Sequence, residues 1–410
     1  MVAAGRRPEL PTSVRNQDLA LRRFGERAAT YFAGMWEGDS LADAFVDDFT
    51  TIGHGRGMRM LRKACREGIA AVEDAPDSLS AIFAQLDDTP DWIDLDAVYA
   101  GATHFARYTR QAGIVLGAAS LVSGYANSVA SRPLELTGRY VENAGMRTIE
   151  VGAWLLAVNA EGGLERYGDG FELTVRVRII HALVRQHLRD SPDWDEAAWG
   201  VPIPQAFLAY TLVEFCLIPL RGMRAVGAPY LPHEVETYYR LWRYVGHLLG
   251  IRAELLPVDE AGQRELEDLY LLTRPEVDDY CRRLVRAIND EFLVLEIEEL
   301  LPRRLHGLAP PTVHALERVF LGDDIADELG VPPSRMKYAV RVVGPLLGLV
   351  NAVIDRVPGT LPLRTRLGRR YREKQETRLR TRYAVSHDLV DDSPAGGKTP
   401  PARDPGRSVQ

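Results

Sequence analysis

The chain has 410 residues, 46% hydrophobic and 26% charged, with a formal net charge of -7 at pH 7. Those values describe an ordinary globular chain able to bury a large core, and exclude collagen-like or low-complexity material. With Lys+Arg 50 against Asp+Glu 57, no basic surplus points to nucleic acid as a partner.

From the N-terminus, Arg6-Arg7 is followed by Pro8-Glu9-Leu10-Pro11 and not by the apolar run an export signal needs, so a cytoplasmic location is expected. Apolar residues at helical spacing predict helices over 18–36, 58–75 and 95–110. Gly53-His54-Gly55-Arg56-Gly57 reads as a turn before the helix that begins at Met58. Residues 112–130 carry no charge and are long enough to span a bilayer. Their Gly, Ala and Ser content, with Tyr125 and Asn127, fits better a central helix packed on all sides. No other segment reads as transmembrane, so no integral membrane span is expected.

Helical spacing resumes over 147–160, 170–189, 204–220, 232–249, 265–272, 276–289 and 312–320. Pro232 and Pro275 sit where a first helical turn tolerates proline, and Gly168-Asp169-Gly170 and Ser191-Pro192-Asp193 supply turns. Residues 174–180 alternate as a strand would, but the apolar period continues to Leu188 and favours helix. The expected fold class is all-α: one large helical body over 21–370 with extra C-terminal helices, an N-terminal extension over 1–20, and a basic segment and tail over 371–410. The arginine-dense stretch 364–382 reads as a solvated helix partly balanced by Glu373 and Glu376, with contact to an acidic membrane surface or a partner as the alternative. Cys65, Cys216 and Cys281 are scattered and read as buried thiols.

Few familiar chemistries fit. There is no His-Glu-x-x-His zinc motif, no Gly-Lys-Ser/Thr phosphate loop and no Gly-x-Ser-x-Gly elbow. What stands out is Arg176-Val177-Arg178-Ile179-Ile180-His181-Ala182-Leu183-Val184-Arg185. On a helix, Arg178 and Arg185 lie one turn before and one turn after His181. A ring buried among apolar residues must be hydrogen-bonded or ligate something, and flanking guanidinium groups suggest a nearby anion. Haem would offer iron to the imidazole and propionates to the arginines. Taken alone, the segment fits a hydrogen-bonded core histidine as well.

The wider order of motifs adds to this. Gly168-Asp169-Gly170 leads into Arg176–Arg185, then Trp199-Gly200-Val201-Pro202-Ile203-Pro204-Gln205, Thr211-Leu-Val-Glu-Phe215 and Tyr239-Arg240-Leu241-Trp242-Arg243-Tyr244-Val245-Gly246-His247. The series, from about Leu41 to about Arg370, resembles the family of haem-dependent oxygenases that contains the bacterial rubber oxygenases (latex clearing proteins) and the MpaB-type oxygenases. The resemblance implies a globin-reminiscent helical body around one haem b. It implies His181 as the proximal iron ligand, Arg178 as a neighbour of the haem, Arg147 on the distal side, and Thr211 packed near the haem. Rubber oxygenases carry a lysine one turn after the distal arginine. Here that spacing falls on Glu150, a carboxylate able to act as a general base, with Glu135 another carboxylate near that site. The expected partners are dioxygen and a small hydrophobic unsaturated substrate, entering along 112–130, and the expected state is a monomer or homodimer. Peroxidase-like or monooxygenating chemistry stays open, as does a non-enzymatic haem binder or sensor.

Overall fold

The computed structural model describes residues 10–137 and 144–383; for 144–147, 376 and 378–383 it describes the backbone alone. Those residues form helices joined by turns, with no strand among them. The all-α expectation holds. Eight helices matter for the site: α1 (Ser40–Asp47), α2 (Leu95–Phe105), α3 (Ala144–Val158), α4 (Asp169–Arg189), α5 (Gln205–Leu212), α6 (Pro232–Leu248), α7 (Met336–Ile354) and α8 (Thr360–Tyr383).

The longest of the central ones, α4, has the charges its dipole favours. Asp169 and Glu172 occupy its first turn, and His187 and Arg189 its last. It is buried on most sides, packed by α3 and α1. A side chain at Gly170 would put its Cβ 2.6 Å from the carbonyl oxygen of Ala157, so glycine there lets the start of α4 cross close to the end of α3. Likewise α2 packs along α6 through Gly101, whose Cβ position lies 2.6 Å from the carbonyl oxygen of Thr237.

Three sequence readings are corrected. The Gly53–Gly57 stretch is not a turn ahead of Met58: the turn is confined to Gly53, with φ at 83°, and the helix begins at His54. Gly57 lies inside that helix, where a Cβ would clash with the Phe49 ring at 2.3 Å. Residues 112–130 are buried as expected but are not one helix. An α-helix over Thr109–Val115 runs into a π-segment, Leu116–Leu121, and after Gly124 the chain bends by 99° into Ser128–Leu136. Asn127 stabilises the bend by accepting from the amides of Val129 and Ala130. Finally, α7 has no counterpart among the predicted helices. It and Gln205–Ala225 are long and apolar enough to cross a membrane by length and composition, which 112–130 had seemed alone in matching. The helix α8 runs unbroken through position 370 and is fastened to the body, with Arg372 Nη1 donating to the carbonyl of Asn159 at 2.8 Å.

Candidate functional site

His181 sits mid-way along α4, on a face shared with Val177, Ile180 and Val184. These four are half-buried, whereas Thr174, Arg178 and Arg185, close to His181 around the helix, and Val175, Ile179 and Ala182 on the other faces are buried. Along this face α4 is therefore covered only in part. The imidazole has no hydrogen bond to any described residue, and its Nδ1 is sealed from solvent without a partner. Burial, reinforced by the Arg185 charge and opposed by Asp39, pushes its pKa down to about 4. The ring is therefore neutral at pH 7, with a nitrogen lone pair to give.

The flanking arginines are held by protein carboxylates. Arg178 donates from Nε to Asp39 Oδ2 at 2.5 Å and from Nη2 to Asp39 Oδ1 at 3.1 Å, while its Nη1 donates to Gln85 Oε1 at 2.6 Å. Arg185 pairs with Asp43 at 2.6 Å and donates to the carbonyl of Ile203 at 3.1 Å. Asp39 is the N-cap of α1 and Asp43 lies one turn in. A carboxylate pair spaced by four on α1 thus meets an arginine pair spaced by seven on α4. The anion that the two arginines suggested in the sequence is supplied by the chain itself, so Arg178 stands beside His181 with its guanidinium already committed.

That arrangement needs glycine nearby. Gly250 has φ at 74°, and a Cβ there would lie 2.3 Å from Asp39 Oδ2 and 2.5 Å from Arg178 Nε. Gln205 ties the same corner together, donating to the carbonyls of Gly38 and Gly250 at 3.1 and 3.0 Å and accepting from the Arg252 amide at 3.0 Å. This explains the physical use of Gln205 at the end of the Trp199–Gln205 motif.

The other sequence candidates are placed as follows. Arg147 falls in α3, but its side chain lies outside the described residues. Glu150, on the same helix, is half-buried and engaged with a neighbour. Beside it, Gly152 has nothing within 4 Å of its Cβ position, so this turn of α3 also faces open room. Glu135 is paired with Arg132 and, at 3.6 Å, with Arg283. Thr211 is half-buried on α5 and donates to the carbonyl of Leu208 at 2.6 Å, within its own helix. Helix α3 is locked to α4 by Trp154, whose Nε1 donates to Thr174 Oγ1 at 2.9 Å. Its ring meets Phe215 edge-on with centroids 5.5 Å apart.

One residue escaped the sequence reading. Glu214 follows Thr211 by one turn, in the π-segment Val213–Leu217. Burial pushes its carboxyl up to about 8, and no described residue offers it a hydrogen bond or counter-charge. Its Oε1 lies 2.7 Å from the Cβ position of Gly124, so a side chain there would make the carboxyl shift. This π-segment packs against the other, Leu116–Leu121, and such local widenings of a helix are frequent at functional sites. A charged residue inside an apolar helix between Thr211 and Phe215 was the available signal. Separately, His104, His233 and Glu234 come within metal-ligand reach of one another. The Glu234 carboxylate there takes two 2.6 Å hydrogen bonds from Arg107, which accounts for it without a metal.

Residues 106–350 match the family described as ER-bound oxygenase mpaB/B'/rubber oxygenase, catalytic domain. The chain belongs to this family. It is 25% identical over 283 residues to the rubber oxygenase of Streptomyces sp. (strain K30), covering 66% of this chain and 65% of that relative. A solved structure of latex clearing protein in the closed state superimposes with a TM-score of 0.64 at 19% identity, over 83% of this chain and 91% of that one; this likeness concerns the fold. For a member of the mpaB/rubber oxygenase family, the test of a haem is whether the residues suit one. A half-buried, neutral imidazole with one sealed and orphaned nitrogen, on a helix face covered only in part, suits an axial ligand better than a core histidine, which would have a partner.

Proposed function

We propose that this chain is a haem b-dependent oxygenase acting with dioxygen on a hydrophobic, unsaturated substrate of isoprenoid type. The observation that carries the reading is His181, half-buried with its Nδ1 sealed and unpartnered on the half-open face of α4, in a chain of an oxygenase family. His181 would hold the iron through a ring nitrogen. When bound, the haem would supply the redox chemistry with dioxygen that side chains lack.

The remaining work falls to the chain. Asp39–Arg178 and Asp43–Arg185 fix the rotation of α4, and so the direction of the imidazole. Arg147 and Glu150 share a helix packed on α4, where a guanidinium can orient a polar group and a carboxylate can take a proton from an allylic carbon. Glu214 holds its proton at pH 7 and can donate it, because a carboxyl without counter-charge in an apolar layer favours its neutral form. Half-buried Val177, Ile180 and Val184 offer an apolar wall suited to a hydrocarbon and exclude water.

The test is product analysis. Haem-loaded protein is incubated with a linear polyunsaturated isoprenoid under isotopically labelled dioxygen, and the products are examined by mass spectrometry. Carbonyl products carrying label at both ends of a cleaved double bond are expected. Label in a single hydroxyl or epoxide would point to monooxygenation, and no labelled product from any unsaturated hydrocarbon would defeat the reading.

A further inference from the structure

Two helices share a mean hydropathy of 1.4, and their surroundings are opposite. In Gln205–Ala225, 78% of the apolar window is buried, which is what an all-round apolar helix in a core requires. In α7 the share is 6%. Val342, Leu346, Leu349 and Val353 are 61%, 58%, 65% and 58% exposed. Soluble monomers seldom leave a contiguous apolar patch of that kind facing water.

The helix is not loosely attached. A Cβ at Gly344 would sit against the carbonyl of Ala225, and Asn351 Nδ2 donates to the carbonyl of Gly227 at 2.5 Å. At its end Asp355 is buried, bound by Arg364 at 2.7 Å and by the Tyr108 hydroxyl at 3.1 Å. Thus α7 lies flat along the body with one edge fixed and its broad apolar side turned outward.

Charge says what covers it. From Arg335 to Lys374 the only carboxylates in the sequence are Asp355 and Glu373, and Asp355 is already spent. Exposed Arg335 and Arg356 stand at the two ends of α7. On α8, Leu363, Arg366, Leu367 and Arg370 are exposed at positions i, i+3, i+4 and i+7, one face alternating leucine with arginine. Neither Arg366 nor Arg370 has a counter-charge among the described residues. In a chain of net charge -7, this local excess fits anionic headgroups, with arginine stems lying along the apolar layer and their heads in the phosphate region. A second copy of the chain would bring the same positive face against itself.

We propose that the exposed face of α7, continued by the Leu363–Arg370 face of α8, docks flat on an anionic lipid bilayer. The inference stands apart from the oxygenase reading, since it uses no residue of that site. Such in-plane docking combines buried apolar area with attraction to acidic lipids.

The full chain is sedimented with vesicles of phosphatidylcholine alone and of phosphatidylcholine and phosphatidylglycerol in equal parts. Binding to the anionic vesicles that weakens as salt rises is expected. The double variant Arg366→Glu/Arg370→Glu should bind at least about tenfold more weakly, and Leu346→Glu/Val350→Glu should abolish binding. Circular dichroism and melting of both variants should match the wild type, since all four side chains face solvent. Equal sedimentation with both vesicle types, or variants that bind like the wild type, overturns the proposal. So does a wild-type dimer that ignores vesicles and falls apart in Leu346→Glu/Val350→Glu, which would give the face to a second copy.

Discussion

Arg178 holds Asp39 in a two-pronged grip, 2.5 Å from Nε and 3.1 Å from Nη2, with both groups buried. The contact joins α4, three residues before His181, to the N-cap of α1. Burying the two charges has a desolvation cost, so the pair matters less for net stability than for where it places α4. Removing one partner is different, because the other is left charged and dry. Asp39→Ala is expected to destabilise the fold by about 3–5 kcal/mol, measured by urea unfolding. A loss under about 1 kcal/mol, the range of exposed pairs, would show that the grip does not hold α4.

Gly250→Ala attacks the same grip from outside. The native φ of 74° and the 2.3 Å approach to Asp39 Oδ2 leave no place for a methyl group. Backbone strain alone costs about 1–3 kcal/mol, and displacement of the ion pair adds to it. The variant should melt well below the wild type and, when folded, bind haem more weakly. Wild-type melting would mean that the corner is looser than drawn.

Glu214 makes stability depend on pH in a definite direction. Its carboxyl is raised to about 8 in the fold, whereas in the unfolded chain it titrates near the ordinary glutamate value. Between those values the folded state binds the extra proton, so stability falls as pH rises, and the loss is complete above about 8. Glu317, also raised to about 8 by burial, adds a second slope of the same sign, so the comparison must be made against wild type. Glu214→Gln should be more stable than wild type at pH 8 by up to a few kcal/mol, with the advantage shrinking toward pH 5. Parallel melting curves across that range would remove the buried-acid assignment. If Glu214 donates a proton in the reaction, the same variant also loses the alkaline limb of the activity profile.

How much of this could be read from the sequence follows from the range of each interaction. Most of the helices, among them the one that carries His181, depend on local spacing, and those readings survive. The Asp39–Arg178 and Asp43–Arg185 contacts join residues 139 and 142 positions apart. Nothing in a local pattern marks Asp39 as more than an N-cap, so the arginines seemed to await an outside anion. Helix α7 was missed for another reason. Its valines, Gly344, Pro345 and Gly348 score poorly as helix, which masks a period in which Lys337, Arg341, Gly344, Gly348 and Asn351 line one side. The break at Tyr125–Asn127 was hidden because glycine, alanine and serine fit a continuous buried helix as well as a bent one.

Gly124→Ala tests whether Glu214 needs the room that it occupies. The added methyl would sit 2.7 Å from Oε1, closer than such contacts allow, so the carboxyl must turn away. Catalytic turnover is expected to fall about as far as in Glu214→Gln, with haem content unchanged, measured by steady-state assay and pyridine haemochrome. Loss of haem together with turnover would place Gly124 in the cofactor's own contact surface instead.

The central claim is that His181 is the iron ligand, and one spectrum tests it most directly. Wild type and His181→Ala are reconstituted with haem b and their absorption spectra compared, ferric and ferrous, with apo-protein circular dichroism as a control for folding. The account predicts a Soret band with stoichiometric haem in the wild type, and only weakly held haem with an altered band in the variant. A wild type that takes up no haem, or a folded His181→Ala variant with an unchanged spectrum, would contradict it.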